Sequence, residues 1–308
     1  MSMADSQPAS LLAGRPAMVV GGGRMGVAIA QILASSGVRS VVVEPNAGIR
    51  AAGPDRLRAI FQARGQAEEG ADLVEFVAEI EESRLEFGIV IEAAPESPEL
   101  KRKIFQKLDQ LLPADTILAT NTSVIPIARI TPGVVHKDRV VGAHFWNPPY
   151  AVRLVEVVQA ADTSDSTVAQ TMAFLAALGQ EPVHVRKDIP GFIGNRLQHA
   201  LKREAIALVQ AGVADAETVD FVVRRSFGAR LGIMGPLEQS DLVGLNLTLA
   251  IHEVVLPDLD VSNAPQRLLV DLVAQGYTGA GVGRGFRSWT PEQKAELQQR
   301  LDRELLRR

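Results

Sequence analysis

The chain has 308 residues, of which 46% are hydrophobic and 22% are charged, and its formal net charge is −4. This length favours two domains, and the composition is typical of a globular protein with a large core. The weak negative charge argues against a nucleic-acid partner or an anionic membrane surface. The sequence contains no cysteine, which excludes disulfides, thiol catalysis and thiolate metal sites.

Residues 1–15 are predicted to be a flexible tail. They have no basic start, and Leu11-Leu12-Ala13 is their only apolar patch, so they do not resemble a signal peptide. No apolar stretch reaches the roughly 18 residues that a membrane span needs. We therefore expect a cytoplasmic protein with no membrane partner.

Residues 16–188 alternate short β-branched runs with helical patterns. Strands are predicted at 18–20, 40–44, 89–92, 117–120, 140–143, 154–158 and 183–185. Helices are predicted at about 24–36, after the Ser97-Pro98 cap, and from near Thr163 to Gly179. This alternation predicts an α/β domain, a Rossmann-type doubly wound sheet that is mostly parallel with helices on both faces.

The pattern changes near residue 188, and residues 189–308 are predicted to form an all-helical domain. Helices are predicted at 192–210 and 216–225, from Pro236 to about 255, from Pro265, and after the capping box Thr290-Pro291-Glu292-Gln293. No convincing strand follows residue 188.

A glycine-rich turn follows the first strand and opens the first helix. Gly21 permits a tight turn, Gly23 lets the backbone approach a pyrophosphate, and Gly26 lets helix and strand pack closely. Arg24 and Met25 lie at the helix N-terminus, whose N–H groups favour an anion. The turn fits the G-x-G-x-x-G fingerprint of a dinucleotide site, although a glycine-rich turn without a ligand is the alternative interpretation.

The second predicted strand ends at Glu44, and a carboxylate there can accept hydrogen bonds from ribose hydroxyls and repels a 2′-phosphate. Glu44 therefore favours NAD over NADP as the cofactor. Arg50 is the opposing feature if it reaches a phosphate, but a solvated helix arginine is the simpler interpretation.

A histidine and a glutamate flank a proline-rich turn in the middle of the chain. His144 ends one apolar run, Asn147-Pro148-Pro149 follows, and Glu156 lies inside the next run. Such a turn can bring two strand ends together, so that Glu156 orients the imidazole of His144 for acid–base catalysis. A lone histidine in a strand is more often structural, and the glutamate partner is what favours the catalytic interpretation.

Seven motifs in order resemble the L-3-hydroxyacyl-CoA dehydrogenase family. They are Gly21-x-Gly23-x-x-Gly26, Ile91-Glu92-Ala93-Ala94-Pro95-Glu96, Asn121-Thr122-Ser123, His144-Phe145-Trp146-Asn147-Pro148, Leu154-Val155-Glu156-Val157, Pro190-Gly191-Phe192-Ile193-x-Asn195-Arg196 and Met234-Gly235-Pro236-x-Glu238-x-x-Asp241. The resemblance implies an NAD-dependent dehydrogenase that acts on CH–OH donors, and a homodimer formed through the helical domain. The strongly apolar helical region around Leu242, Leu245, Leu249 and Val254 is compatible with that interface.

The resemblance also implies a role for each matched residue. His144 is the general base, Glu156 orients it, and Ser123 bonds the reacting oxygen. Asn195 and Asn147 lie near the histidine and the substrate. The cofactor set implied by the motifs is completed by Glu92, Ala94, Glu96 and Asn121. Arg153, beside the turn, is a candidate cation for a carboxylate-bearing substrate.

Simpler interpretations stay open for two of these residues, since Ser123 can cap a following helix and Asn195 can be a polar group at a helix start. The other histidines, His136, His184, His199 and His252, have no partner at an informative spacing. No metal-ligand cluster stands out, and we expect no metal.

The segment 46–88 contains no lysine and is acidic toward its end, whereas family members that bind CoA carry a lysine-rich helical pair there. The motifs around Asn147 and Asn195 resemble a side branch that includes L-gulonate 3-dehydrogenase and lambda-crystallin, L-carnitine dehydrogenase and a bacterial pyridine-carboxylate 5-dehydrogenase. Three functions remain: a dehydrogenase of a small hydroxy acid, an L-3-hydroxyacyl-CoA (3-hydroxybutyryl-CoA) dehydrogenase, or a non-catalytic NAD-binding protein such as a crystallin or a sensor.

Overall fold

The computed structural model describes residues 8–80 and 86–306. The chain divides into two compact units, the first ending at Arg196 and the second beginning at Leu197. The first unit extends past the predicted boundary at residue 188 because Phe192 is completely buried in its core. Among the described residues, no helix is long and apolar enough to cross a membrane.

An eight-stranded sheet forms the centre of the first unit. Its strands are β1 (Ala17–Val20), β2 (Ser40–Val43), β3 (Val74–Val77), β4 (Ile89–Glu92), β5 (Ile117–Thr120), β6 (Val140–Phe145), β7 (Leu154–Val158) and β8 (Glu181–Val185). The order is β3-β2-β1-β4-β5-β6-β7-β8, and every pair is parallel except the antiparallel pair β6–β7. The prediction of a mostly parallel, doubly wound sheet is confirmed.

Helices surround this sheet. They are α1 (Pro8–Leu11), α2 (Arg24–Ser35), α3 (Ala47–Ala51), α4 (Gly53–Ala63), α5 (Pro98–Leu111), α6 (Ile127–Ile130) and α7 (Asp165–Ala177), with 3₁₀ turns at Glu68–Leu73 and Lys137–Arg139. The predicted cap is present, since the Ser97 hydroxyl accepts a hydrogen bond from the Leu100 amide.

Alternate residues of each strand point to opposite faces of the sheet, and both faces are covered. Ala17 and Val19 belong to one buried cluster, whereas Met18 belongs to the other. This double burial explains why the strands are almost continuously apolar. The same alternation places His144 and Glu156 on the face that α5 covers, because Val140 and Val158 lie in the cluster that contains Phe105 of α5.

The second unit is helical. Its helices are α8 (Gly194–Gln210, which starts in the first unit), α9 (Ala216–Arg225), α10 (Pro236–Val243), α11 (Leu245–Val255), α12 (Arg267–Ala274) and α13 (Pro291–Leu306), with 3₁₀ turns at Phe227–Ala229, Leu256–Asp258 and Ala280–Val282. Among the described residues from Leu197 onward, β-type pairing is limited to the isolated bridges Gly279–Arg284 and Arg284–Ser288. The prediction of an all-helical second part is confirmed.

Some predictions of elements were wrong. The single helix predicted from Pro236 to about residue 255 is two helices, because Gly244 has a φ of +96°, a conformation that interrupts a helix. The helix predicted from Pro265 begins at Arg267. β3 was not predicted, since it is a partly exposed edge strand that follows an acidic turn.

The N-terminal tail is only partly as expected. Residues 1–7 lie outside the described residues. From Pro8 onward the prediction of a flexible segment is wrong, because α1 is helical and Leu12 is 3% exposed within the core. Leu12 packs directly against the position of Gly88, where a Cβ would lie 2.7 Å from the Leu12 Cβ. An apolar anchor therefore holds this segment.

Candidate active site

His144 and Glu156 face each other across the antiparallel pair β6–β7, where they are register partners. The Nδ1 atom of His144 lies 2.8 Å from Oε2 of Glu156. The two residues are only 3% and 1% exposed. The indole of Trp146 and the ring of Phe192 lie beside the imidazole, with ring centroids 5.3 and 5.7 Å away. The turn therefore produces the histidine–carboxylate pair that its spacing predicts.

The second oxygen of Glu156 is held by backbone amides at the start of α8. Ile193 N donates to Oε1 over 2.9 Å and Gly194 N donates over 3.0 Å. Phe192, just before them, is a non-glycine residue with a φ of +49°, a conformation that typically costs of order 1 kcal/mol and is concentrated at functional sites. Sequence analysis did not identify these amides, because backbone donors leave no signal in residue type.

The surroundings of Glu156 keep it ionised. Burial alone would raise its pKa, but the hydrogen bonds from His144 and from the Gly194 and Ile193 amides prevail and hold the pKa below its ordinary value. A carboxylate can only accept, so His144 Nδ1 carries a hydrogen, and in the neutral ring Nε2 is then the nitrogen with the free lone pair. The pair can therefore accept a proton at Nε2 while Glu156 stabilises the resulting imidazolium.

Gly194 is a position at which a side chain does not fit. A Cβ built there would overlap the indole of Trp146 at Cζ2. We expect Gly194→Ala to destabilise the protein by about 1–3 kcal/mol, the usual cost of overpacking, as measured by thermal unfolding followed by tryptophan fluorescence. Gly281→Ala is the control, since a Cβ at Gly281 meets no atom within 4 Å. Equal melting temperatures for the two variants would contradict the expected clash.

Both backbone groups of Ser123, the amide and the carbonyl, form hydrogen bonds with side chains. Asn195 Nδ2 donates to the Ser123 carbonyl oxygen over 2.9 Å, and the Ser123 amide donates to Oε1 of Glu96 over 2.9 Å. The same Glu96 oxygen accepts from the Thr122 hydroxyl at 2.6 Å and from the Val124 amide at 3.2 Å. The Ser123 side chain is exposed. It does not cap a helix, since α6 begins after Pro126 without a side-chain cap.

The other predicted site residues near the turn, the cofactor residue Asn121 and the substrate residues Asn147 and Arg153, lie at different places. Asn121 is close to the pair, since its Oδ1 accepts from the Phe145 amide over 2.8 Å. Asn147 is exposed in the turn that follows β6. Arg153 is not brought to His144. It lies just before β7, two residues from Val155 and four from Val157, and alternate residues of a strand share a face. Val155 and Val157 belong to the buried cluster on the face of the sheet opposite His144, so Arg153 is on that face too.

The expectation that Arg153 binds substrate beside His144 is corrected by this placement. The charge of Arg153 contributes to the lowered pKa of Arg64, although burial of Arg64 is the largest cause. Arg64 in turn donates to the Tyr150 carbonyl and lies 5.7 Å above the Tyr150 ring. Arg153 therefore belongs to an arginine pair away from the histidine.

A cavity of 690 Å³ lies at the carboxyl ends of β1, β2 and β4. Its lining includes the predicted cofactor residues Gly21, Gly23, Arg24, Met25, Glu44 and Ala94. Gly21 has a φ of +109°, and a Cβ there would lie 2.7 Å from the Ala93 carbonyl oxygen, whereas a Cβ at Gly23 would meet nothing within 4 Å. A Cβ at Gly26 would overlap the carbonyl oxygen of Gly21. The glycines thus have the separate roles that the fingerprint predicts, with open space left at Gly23.

Glu44 closes one end of this cavity. Its Oε2 accepts from the Gly22 amide over 2.8 Å and its Oε1 from the Asn46 amide over 2.9 Å. Arg50 donates to the backbone carbonyls of Glu44 and Pro45 at 2.8 and 3.2 Å. Each carboxylate oxygen retains a further acceptor site, so Glu44 can still bind hydroxyl groups.

Glu92 lies beneath the cavity wall and cannot contact a ligand directly. It is 0% exposed. Its Oε2 accepts from the Thr120 hydroxyl, and its Oε1 accepts from the Ala94 amide and from Lys101, each over 2.7 Å. Sequence analysis assigned Glu92 to the cofactor site, and its placement restricts it to supporting the backbone at Ala94. Lys101 was missed. Lys101 lies four residues before Phe105 and seven before Leu108, on the buried face of α5. A lysine at an apolar position of the helix is the signal in the sequence that could have identified it.

Among residues 8–80 and 86–306, no group of three or more His, Asp or Glu side chains is arranged to hold a metal ion.

Two family descriptions match the chain. "3-hydroxyacyl-CoA dehydrogenase, NAD binding domain" matches residues 17–189, and "3-hydroxyacyl-CoA dehydrogenase, C-terminal domain" matches residues 191–289.

Relatives and solved structures agree with these matches. The chain is 31% identical to 5-formyl-3-hydroxy-2-methylpyridine 4-carboxylate 5-dehydrogenase of Mesorhizobium japonicum over 94% of this chain and 95% of that protein. It is 37% identical to the "Probable 3-hydroxybutyryl-CoA dehydrogenase" of Bacillus subtilis over 87% of this chain and 95% of that protein. A crystal structure of the pyridine-carboxylate enzyme, described as an NAD⁺-dependent dismutase, superposes with a TM-score of 0.87 at 29% identity and covers 95% of this chain and 96% of that chain.

Proposed function

The chain belongs to the 3-hydroxyacyl-CoA dehydrogenase family and is an NAD-dependent dehydrogenase, and from this premise we propose that it oxidises the hydroxyl group of a small hydroxy acid that carries no CoA. The pyridine-carboxylate relative acts on a small acid, which supports this substrate class. A purely NAD-binding, non-catalytic role does not fit a chain whose relatives are dehydrogenases along nearly their whole length.

In the proposed reaction His144 Nε2 removes the hydroxyl proton as the carbonyl forms. Glu156 keeps the hydrogen on Nδ1 and stabilises the imidazolium. The Ser123 hydroxyl, exposed on a loop that Glu96 and Asn195 hold, is proposed to bond the reacting oxygen. Asn147 and Asn195 are proposed to contact the substrate near the histidine. We propose the catalytic residues that the motifs imply, His144, Glu156, Ser123 and Asn195, and we do not retain Arg153 as a substrate-binding cation.

The cofactor cavity fits NAD by the chemistry of its lining. Gly23 leaves room for a pyrophosphate at the N-terminus of α2, where Arg24 and Met25 begin the helix, while Gly21 and Gly26 permit the close backbone packing of the turn. Glu44 is proposed to bind the ribose hydroxyls, and Ala94 and Asn121 the portion nearer His144. When bound, NAD supplies the hydride acceptor for the oxidation.

The contacts of the arginines between β2 and β3 are the observation that supports a substrate without CoA. Arg50 is bound to backbone carbonyls, Arg58 lies 3.7 Å from Asp55, and Arg64 is bound to the Tyr150 carbonyl. The segment contains no lysine. Phosphate groups of CoA need free cations, and two of the four arginines in residues 46–80, Arg50 and Arg64, already donate to backbone carbonyls. Arg58 has only an exposed ion pair, which contributes little, and Arg56 is exposed.

NADH formation with two sets of substrates tests the proposal. One set is a panel of free acids that carry a CH–OH group, either as a hydroxymethyl group on an aromatic ring or as a secondary alcohol on an aliphatic chain, and the other is 3-hydroxybutyryl-CoA. We expect turnover with at least one free acid. If 3-hydroxybutyryl-CoA alone reacts, with kcat/KM well above ~10⁴ M⁻¹s⁻¹, the proposal is wrong.

The acyl-CoA activity is the second candidate, because the Bacillus subtilis relative bears that name at 37% identity. In that case Arg56 would be the first residue to test. Arg56→Gln would raise KM for 3-hydroxybutyryl-CoA and leave KM for a free acid unchanged.

We expect NADH to bind more tightly than NADPH, because a 2′-phosphate would lie against the carboxylate of Glu44. Glu44→Gln keeps an acceptor for the Gly22 amide but removes the charge, and it should narrow the NADH-to-NADPH affinity ratio by about tenfold, or roughly 1.4 kcal/mol. Fluorescence titration of the reduced cofactors measures both affinities. Glu79→Gln, in the same cavity lining, controls for net charge. An unchanged ratio in Glu44→Gln would refute the assignment.

A homodimer formed through the helical unit is proposed from its lack of a buried core. Among the described residues from Leu197 onward, no apolar side chain is buried, and Leu242, Leu245 and Leu249 are 72%, 62% and 61% exposed. A domain of this size normally buries well over half of its surface. We propose that a second copy of the chain covers these helices, and that the enzyme is cytoplasmic.

Light scattering tests the dimer. We expect the wild-type chain to have twice the monomer mass, and Leu245→Glu to dissociate or precipitate because a charge is then buried in the interface. Glu253→Gln, on the same helix α11, changes a charge without placing one on the apolar surface and should remain dimeric. A wild-type monomer at low concentration would contradict the proposal.

A further inference from the structure

One lysine of the first unit is completely enclosed. Lys101, in the second turn of α5, is 1% exposed. Its Nζ lies 2.7 Å from Oε1 of Glu92, 3.2 Å from the carbonyl oxygen of Ala94 and 3.4 Å from Oε2 of Glu96. These three oxygens match the three N–H donors of an ammonium group. The proposed reaction assigns this residue no role.

Each partner of Lys101 belongs to a different part of the site. Glu92, at the end of β4, also binds the Thr120 hydroxyl at the end of β5. Ala94 lines the cofactor cavity. Glu96 uses its other oxygen to hold the Thr122 hydroxyl and the Ser123 amide. One ammonium group therefore links the cavity wall after β4 to the loop that carries Ser123.

The charge of Lys101 matters more than its packing. A buried ion pair contributes little net stability compared with apolar side chains of similar volume, so a purely structural link needs no cation. Removing the cation, however, leaves the fully buried carboxylate of Glu92 uncompensated beside the partly exposed carboxylate of Glu96. The charge of Glu92, enclosed where water is excluded, then acts strongly on Glu96 and on the backbone at Ala94.

We propose that Lys101 is a positioning residue, whose buried ammonium group neutralises Glu92 and Glu96 and thereby fixes both the Ala94 wall of the cofactor cavity and the Ser123 loop. The proposal rests on the proposed function, which places NAD in this cavity and the reacting oxygen at Ser123. Lys101 itself contacts neither.

The experiment compares Lys101→Met, which keeps an unbranched side chain one atom shorter and removes its charge, with Lys103→Met, which alters an exposed lysine of the same helix. NADH affinity is measured by fluorescence titration, and kcat and KM with a substrate that the wild-type enzyme oxidises. In Lys101→Met we expect about tenfold weaker NADH binding and a kcat lowered by up to about 100-fold, the cost of a small misplacement. KM for the hydroxy substrate should change less. Lys103→Met should match wild type.

A second variant separates the charge from a loss of folding. Lys101→Met/Glu96→Gln removes one of the two uncompensated carboxylates, while the amide oxygen of glutamine can still accept from Thr122 and Ser123. We expect it to recover NADH affinity relative to Lys101→Met. Wild-type affinity and kcat in Lys101→Met would overturn the proposal. Equal losses in the single and double variants, with equally lowered melting temperatures, would also overturn it in favour of a structural role.

The titration needs no substrate, so the two proposals fail separately. If the wild-type protein binds NADH but oxidises neither the free acids nor 3-hydroxybutyryl-CoA, the proposed function is wrong, and the affinities of the variants still decide the role of Lys101.

Discussion

His144→Ala is expected to lower kcat by about 10²- to 10⁴-fold, the range that a positioned acid–base group supplies. The imidazole is the proposed acceptor of the hydroxyl proton, and the alanine side chain has no group that can accept it. NADH affinity should stay nearly unchanged, because His144 is not among the residues that line the cofactor cavity. Steady-state kinetics and NADH titration on the same preparation measure the two effects.

His184→Ala provides the matched control for removing a histidine from the same sheet. His184 lies in β8 and its Nε2 is 2.9 Å from Oε1 of Gln159 in an exposed position. Its loss should leave kcat close to the wild-type value. A His144→Ala enzyme with normal kcat would show that another group acts as the base, and a large loss in both variants would point to damage to the sheet.

The face on which the site lies could be predicted from the strand period alone. Even-numbered residues of β6 and β7 share one face, so His144 and Glu156 had to meet once the proline-rich turn paired the two strands. The same rule, applied to Arg153, places that residue on the other face and would have removed it from the substrate site. Arg153 lies close to the turn in the sequence, but proximity alone does not show which face of the sheet a residue occupies.

The supporting contacts of the site were harder to predict, because they depend on tertiary placement. The Ile193 and Gly194 amides reach Glu156 only because Phe192 adopts a positive φ, which its residue type does not indicate. Glu92 ends a strand as a cofactor carboxylate would, yet burial beneath Ala94 gives it a supporting role. Glu96 was assigned to the cofactor, and its Oε1 is used by the Ser123 loop.

Glycine and proline residues predicted the local backbone conformation correctly where a turn or a helix start requires one particular conformation. Gly21 has the positive φ that the dinucleotide turn needs, and Ser97-Pro98 opens α5 as expected. Gly244 carried the same kind of signal inside an apolar helical pattern, but a single glycine is tolerated within helices. The break it causes between α10 and α11 therefore needed the structure.

The second large effect expected is that of Glu156→Gln, which changes one oxygen to an NH₂ group and alters the tautomer of His144. The Ile193 and Gly194 amides, both donors, require an oxygen at their side of residue 156. The glutamine would therefore turn its NH₂ group toward Nδ1 of His144, which must then accept. The ring hydrogen moves to Nε2, and the nitrogen proposed to take the substrate proton loses its lone pair.

Glu156→Gln should therefore lower kcat by about 10⁴-fold, the order found for the same change of carboxylate to amide in a Ser–His–Asp triad. Glu156→Ala leaves Nδ1 without a partner but imposes no tautomer, so it should lose no more activity than the isosteric glutamine variant. Kinetics of the two variants across pH test this order. A glutamine variant that is clearly more active than the alanine variant would mean that Glu156 only fills space beside His144.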